Sequence, residues 1–217
     1  MAAFELAVEQ GADALEFDVR PTADGELVTL HDATMLRTAG DPRRLDEVPR
    51  TALQALDTAV RPPALDAVLE RFRGQTSFVV DLKDPLPSWE HRVVEALDRH
   101  GVRERAVVQS FDHAPLRRLR ARWPSLGIVA LYRGADEPRA GLTAAAEFAD
   151  AIGPWHGHVD GGLVDAARAL GLAVRPWTVD DPAEIQRLLA AGVGGLITNA
   201  PDVALAAVRA HSLAAAA

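Results

Sequence analysis

Cysteine is absent from the 217 residues, which excludes a disulfide framework and thiol chemistry. No apolar run approaches the roughly 20 residues that a membrane-spanning helix needs. The opening segment, MAAFELAVEQG, has no basic stretch before its apolar residues, so it does not read as a signal peptide, and the expected location is the cytoplasm. Basic residues are in the minority, 23 against 31 acidic ones, for a net charge of -8. That field repels nucleic-acid backbones and offers no polybasic patch to anionic lipid, so neither nucleic acid nor a membrane surface is an expected partner. A phosphate ester would be repelled too, unless a cation or local Lys and Arg intervened. An acidic protein acting on phosphates is therefore expected to carry a metal.

What is present is an ordinary globular composition, 48% hydrophobic and 25% charged, long enough for one large core. A single domain over residues 1–217 is expected. Short apolar runs at Ala14–Arg20, Phe78–Lys83, Ala106–Ser110, Gly127–Tyr132, Phe148–Gly153, Ala173–Val179 and Gly194–Asn199 read as strands. Helical patterns lie at Met1–Gln10, Ser88–His100, His113–Arg122, Val159–Leu170, Pro182–Ala191 and Pro201–Ala210. Pro87-Ser88 and Asp180-Asp181-Pro182 are start signals, and the Ala-rich tail from Leu213 is expected to fray. Strand–helix alternation implies parallel strands with right-handed crossovers. No Gly-rich dinucleotide loop follows any strand, which favours a TIM-type (β/α)8 barrel over an open sheet. Such barrels usually need roughly 250 residues, with about 200 the lower end, and the strand count here is seven of eight. One excursion, residues 21–75, breaks the rhythm with an Asp24-Gly25 turn, a short strand at Leu27–Leu30 and helices near Thr51–Leu56 and Leu65–Phe72. It reads as an insertion or cap at the C-terminal end of the first strand.

The chemistry concentrates on strand ends. In Ala14–Arg20, side-chain alternation puts Glu16 and Asp18 on one face and Leu15, Phe17 and Val19 on the other. Two ionised acids that close repel each other, so one must protonate or a cation must join them. In Phe78–Lys83, Asp81 and Lys83 share a face opposite Phe78, Val80 and Leu82. Three carboxylates from adjacent strands make an oxygen-rich site suited to Mg2+ or Ca2+, and Lys83 adds a donor for a phosphate oxygen. An incidental acidic edge and a structural Asp81–Lys83 ion pair are the plainer alternatives. His31, followed by Asp32 after the short strand, has a side chain suited to proton transfer near neutral pH. Gln109 and Phe111, and Arg175 and Trp177, face the interior by the same alternation, with Phe111 and Trp177 as an apolar wall for a substrate or as core. His156 and His158 flank a glycine and read as surface histidines. His91, His100, His113 and His211 receive no functional reading.

Together these segments resemble the glycerophosphodiester phosphodiesterase family nearly end to end. AAFELAVEQGADALEFDVRPTADGELVTLHDATMLRTAG is similar to its first helix, acidic E-x-D strand and His-Asp turn, and VVDLK to its E-x-K strand. VVQSFDHAPLRRLR, VRPWTVDD and GGLITNAPD resemble its Q-S-F, W-T-V-N and I-T-D-x-P-D segments, in the expected order. The resemblance implies a (β/α)8 barrel that cleaves glycerophosphodiesters to glycerol 3-phosphate and an alcohol. It implies Glu16, Asp18 and Asp81 as ligands of Mg2+ or Ca2+, His31 as one of two catalytic histidines, Lys83 as a phosphate contact, and Gln109, Phe111 and Trp177 at the substrate. Asp81 stands where the family normally has glutamate, one methylene longer. The family's first strand, ending His-Arg-Gly, and its Pro-Glu-Asn-Thr segment would precede Met1. The expectation is therefore a translation start upstream, or a gap filled by another chain, with activity weakened in the chain as written. A catalytically silent barrel binding phosphodiesters or a partner, and a lysophospholipase D-like enzyme, are the alternatives. A small-molecule phosphodiester is the expected partner, and the sequence leaves the oligomeric state open.

Overall fold

A computed structural model describes residues 1–83 and 89–215. The Pro87-Ser88 helix start predicted from sequence lies outside the described residues. In chain order the helices are α1 (Ala2–Glu9), α2 (Leu36–Ala39), α3 (Arg50–Gln54), α4 (Leu65–Phe72), α5 (Glu90–Arg99), α6 (His113–Arg122), α7 (Pro138–Ala146), α8 (Gly161–Ala169), α9 (Pro182–Ala191) and α10 (Pro201–Ala215). The strands are β1 (Ala14–Pro21), β2 (Leu27–Thr29), β3 (Thr34–Met35), β4 (Asp41–Arg44), β5 (Ser77–Leu82), β6 (Ala106–Ser110), β7 (Gly127–Tyr132), β8 (Ala151–Pro154) and β9 (Ala173–Val174). They group into two compact units, one over Ala14–Val108 with Met1, the other over Ala2–Asp13 with Gln109–Ala217.

In the first unit β1 lies between β2 and β5, antiparallel to the former and parallel to the latter. The Asp24-Gly25 turn closes the β1–β2 hairpin: Gly25 takes φ 78°, a left-handed conformation glycine reaches without a Cβ penalty, and its amide donates to the Thr22 carbonyl at 2.8 Å. Leu15, Phe17 and Val19 of β1 are buried together with Phe78, Val80 and Leu82 of β5, and the Phe17 and Phe78 rings meet edge to face at 6.2 Å. Helix α4 buries Leu65, Val68, Leu69 and Phe72, the i, i+3, i+4, i+7 stripe of an amphipathic helix. Within the excursion, Val28, Leu30, Met35, Leu45, Val48 and Leu53 form a small core of their own, and β3 pairs with β4 beside it. Leu69 is fully buried. Leu69→Ala is therefore expected to lower stability by about 2–5 kcal/mol, as lost transfer free energy plus a cavity, read from urea unfolding midpoints.

In the second unit β7, β8 and β9 are parallel neighbours in that order. Asp181, ahead of Pro182, accepts from the Ala183 and Glu184 amides and caps α9, as the sequence predicts. Three expectations change. Helix α7 was not foreseen, and its last turn takes the Phe148 and Ala149 amides on the Ala145 carbonyl, so β8 starts only at Ala151. Helix α10 runs on through Leu213 to Ala215, in keeping with alanine's helix propensity. Gly194–Asn199 is not a strand. Its bonds to the segment after Ala173 run Gly194 N to Val174 O at 2.8 Å, Ile197 N to Pro176 O at 3.0 Å and Val179 N to Ile197 O at 2.9 Å. Pro176 has no amide hydrogen to give, so a regular ladder breaks there.

Candidate active site and metal centre

The register of β1 on β5 sets Asp18 opposite Asp81. Strand alternation then points Glu16, Asp18, Asp81 and Lys83 the same way, as the sequence implies. One carboxylate oxygen from each of Glu16, Asp18 and Asp81 lies within 4.8 Å of the others, and this is the cluster of its kind among the described residues. Asp81 is buried at 3% exposure, whereas Glu16 and Asp18 are half-buried. Lys83 Nζ sits 2.6 Å from Asp81 Oδ2 and 3.0 Å from Asp18 Oδ1. Burial raises the Asp81 carboxyl above its ordinary range, Lys83 pulls it back, and Asp18 adds to the rise. For Lys83, burial works against the charge, but the pull of Asp81 and Asp18 wins and its pKa is raised. Lys83 therefore stays an ammonium beside the three carboxylates.

Asp81 Oδ1 is buried with no hydrogen-bond partner among the described residues. A buried acceptor of that kind needs a partner. Here it lies in an all-oxygen cluster that carries more negative than positive charge. These residues fit a hard divalent cation.

His31 follows β2 in a turn. Its Nδ1 is 2.8 Å from Asp32 Oδ1, and Arg37 Nε donates to Asp32 Oδ2 at 2.8 Å. Arg37 and then His31 hold the Asp32 carboxyl down at about 2, so it is ionised and Nδ1 is the donor. The ring is 67% exposed. Neither Arg37 nor Arg20, which contacts the His31 backbone, was foreseen as part of this arrangement.

In the second unit, Gln109 is buried at the end of β6. The half-buried Phe111 and Trp177 rings meet edge to face at 5.3 Å, Trp177 Nε1 donates to the Gly153 carbonyl at 2.8 Å, and the Arg133 guanidinium stacks 4.4 Å above Phe111. The surface reading of His156 and His158 needs correction, since both are half-buried. His156 Nδ1 bonds Glu184 Oε1 at 2.8 Å. Arg187 first, and His156 after it, hold Glu184 at about 2 against an ordinary 4.5. A depressed carboxyl contributes stability that is full above about 4.5 and lost as the pH falls towards 2. Glu184→Gln is expected to flatten the fall of Tm across that acid window and leave its neutral-to-alkaline course unchanged, measured by thermal melts against pH.

The model of the glycerophosphoryl diester phosphodiesterase family matches residues 1–203. The chain belongs to that family. It is 31% identical to a glycerophosphodiester phosphodiesterase of Caldanaerobacter subterraneus subsp. tengcongensis, over 96% of this chain and 91% of the relative. A Silicibacter pomeroyi structure assigned to the glycerophosphoryl diester phosphodiesterases superposes with a TM-score of 0.87 at 24% identity, covering 96% of this chain and 87% of that one. A phosphodiesterase of Oleispira antarctica, solved in complex with the product sn-glycerol-3-phosphate, superposes with a TM-score of 0.84 at 22% identity, covering 96% and 90%.

As a member of the family, the chain is a phosphoric diester hydrolase. The fold is the α/β TIM barrel of its structural relatives. A small-molecule phosphodiester suits such an enzyme. Among the described residues no helix is long and apolar enough to cross a membrane.

Proposed function

We propose that this phosphodiesterase hydrolyses glycerophosphodiesters to glycerol 3-phosphate and the free alcohol, with Mg2+ or Ca2+ held by Glu16, Asp18 and Asp81. The observation that carries the metal assignment is Asp81 Oδ1, a buried acceptor without a partner among the described residues, inside the three-carboxylate cluster. When bound there, a divalent cation neutralises charge on the phosphoryl group and favours an ionised nucleophile. Lys83, held as an ammonium by Asp81 and Asp18, donates to a phosphoryl oxygen and offsets the negative field that would otherwise repel the substrate. His31 donates a proton from Nε2 to the departing alcohol oxygen as its P–O bond breaks. Asp32 stabilises the imidazolium through Nδ1 and keeps the ring oriented. Gln109, Phe111 and Trp177 are proposed to contact the substrate. The product named for the Oleispira antarctica protein supports glycerol 3-phosphate as the retained fragment. Phosphorus NMR of the reaction with glycerophosphocholine distinguishes the two P–O bonds. Glycerol 3-phosphate with choline is the expected pair, and phosphocholine with glycerol would overturn the assignment.

A further inference from the structure

We propose that Arg20 is a positioning residue, whose guanidinium fixes the backbone that presents His31 to the leaving group. The inference rests on the reading of His31 as the proton donor. Arg20 lies on β1 two residues beyond Asp18, on the same face, and is buried at 8% exposure. Its Nε and Nη2 both donate to one acceptor, the His31 carbonyl, at 3.0 and 2.7 Å. On the other side of His31, the Leu30 amide donates to the Asp18 carbonyl at 3.0 Å. The turn carrying His31 is thus fastened to the acidic strand just before the residue and again at its own carbonyl.

That double attachment matters because the ring itself is held by little else. It is largely exposed, and its bond to Asp32 links neighbours on the same turn, so Asp32 can set the ring's rotation but not the turn's place relative to β1. A planar guanidinium brings two donors to one oxygen in fixed geometry, whereas a lysine ammonium at the end of a flexible stem would supply a charge and a single movable bond. Burying a guanidinium is unfavourable unless it is paired. Burial lowers the Arg20 pKa, Asp18 works against that, Arg44 adds to the lowering, and Asp32 and Asp81 oppose it in turn. Asp18 and Asp81 thus serve both as oxygens of the cluster and as counter-charge to the arginine that holds the turn. A displacement of about 1 Å at a reacting group costs on the order of a hundredfold in rate. Loosening this attachment is expected to act on the proton-transfer step more than on binding.

The test uses the full chain and two substrates that differ only in their need for a proton donor. Glycerophosphocholine leaves as a basic alkoxide and requires one, whereas the p-nitrophenyl ester of glycerol 3-phosphate leaves as a stabilised phenolate. Arg20→Gln is expected to lose about a hundredfold in kcat on glycerophosphocholine with KM little changed, and to lose far less on the nitrophenyl ester. Arg20→Lys, which keeps the charge and one bond, is expected to fall between and serves as the readout if Arg20→Gln does not fold. Equal losses on both substrates would reduce Arg20 to a structural or purely electrostatic role and overturn the proposal. His31→Ala, run in parallel, separates the two ideas. If His31→Ala discriminates between the substrates and the Arg20 variants do not, positioning by Arg20 is wrong. If His31→Ala does not discriminate either, the proton-donor reading is wrong and the proposal falls with it.

Discussion

Asp81→Asn is expected to reduce kcat/KM by about 10²–10³-fold or more while leaving the fold as stable as before, or slightly more stable. The two effects have one cause. Asp81 is the most buried of the three carboxylates, and burial already raises its pKa, so its negative charge costs the folded state something at neutral pH. Asparagine keeps the shape and removes that cost. Lys83 keeps Asp18 at 3.0 Å as its counter-charge, so the ammonium is not left bare. Catalysis loses more, because an amide oxygen is a weaker ligand for a hard cation and the cluster drops from three anionic donors to two. The loss corresponds to several kcal/mol of transition-state stabilisation. Steady-state kinetics and a thermal melt on the same preparation read both. Activity within tenfold of the parent would remove Asp81 from the metal centre. A large fall in Tm would mean that its charge holds the fold together.

His31→Ala carries the second large effect, a loss of about 10²–10⁴-fold in kcat/KM on glycerophosphocholine, the usual contribution of a positioned proton-transfer group. With 67% of its side chain exposed, His31 contributes little packing, and stability is expected to stay within about 0.5 kcal/mol of the parent. Asp32→Asn tests the same assignment from the other side. It keeps a hydrogen-bond acceptor beside Nδ1 but withdraws the ionised carboxylate that orients the ring, so activity is expected to fall, though less than in His31→Ala. A His31→Ala enzyme with unchanged kcat/KM would exclude the residue from the reaction.

Much of this site is legible in the sequence because strands write their faces with a period of two. Glu16 and Asp18 alternate with Leu15, Phe17 and Val19, and Asp81 and Lys83 with Val80 and Leu82, so the polar face is written in the sequence itself. The register that sets Asp18 opposite Asp81 could not, since alternation says which way side chains point and not which residue lies beside which. Arg20 was passed over for a related reason. An arginine at a strand end reads as a solvated residue, and its bond to a backbone carbonyl eleven positions away leaves no trace in composition. Helix α7 was overlooked although Glu137 caps it and Pro138 opens it, because its small residues, Ala and Gly, give only a faint apolar stripe. Gly194–Asn199 was read as a strand from its apolar content, where hydrogen bonding interrupted at Pro176 prevents a regular ladder. The fold class needed only the alternation of strands and helices. The chemistry needed a few residues whose spacing had a physical reason.

The most direct test of a metal-dependent phosphodiesterase centred on Glu16, Asp18 and Asp81 is glycerophosphocholine hydrolysis by the intact chain, followed as glycerol 3-phosphate release, first in EDTA and then with Mg2+ or Ca2+ restored. Turnover that disappears in the chelator, returns with the cation and does not return in Asp81→Asn is the expected result. Turnover that is the same in EDTA, or that Asp81→Asn recovers fully with the cation, would contradict it.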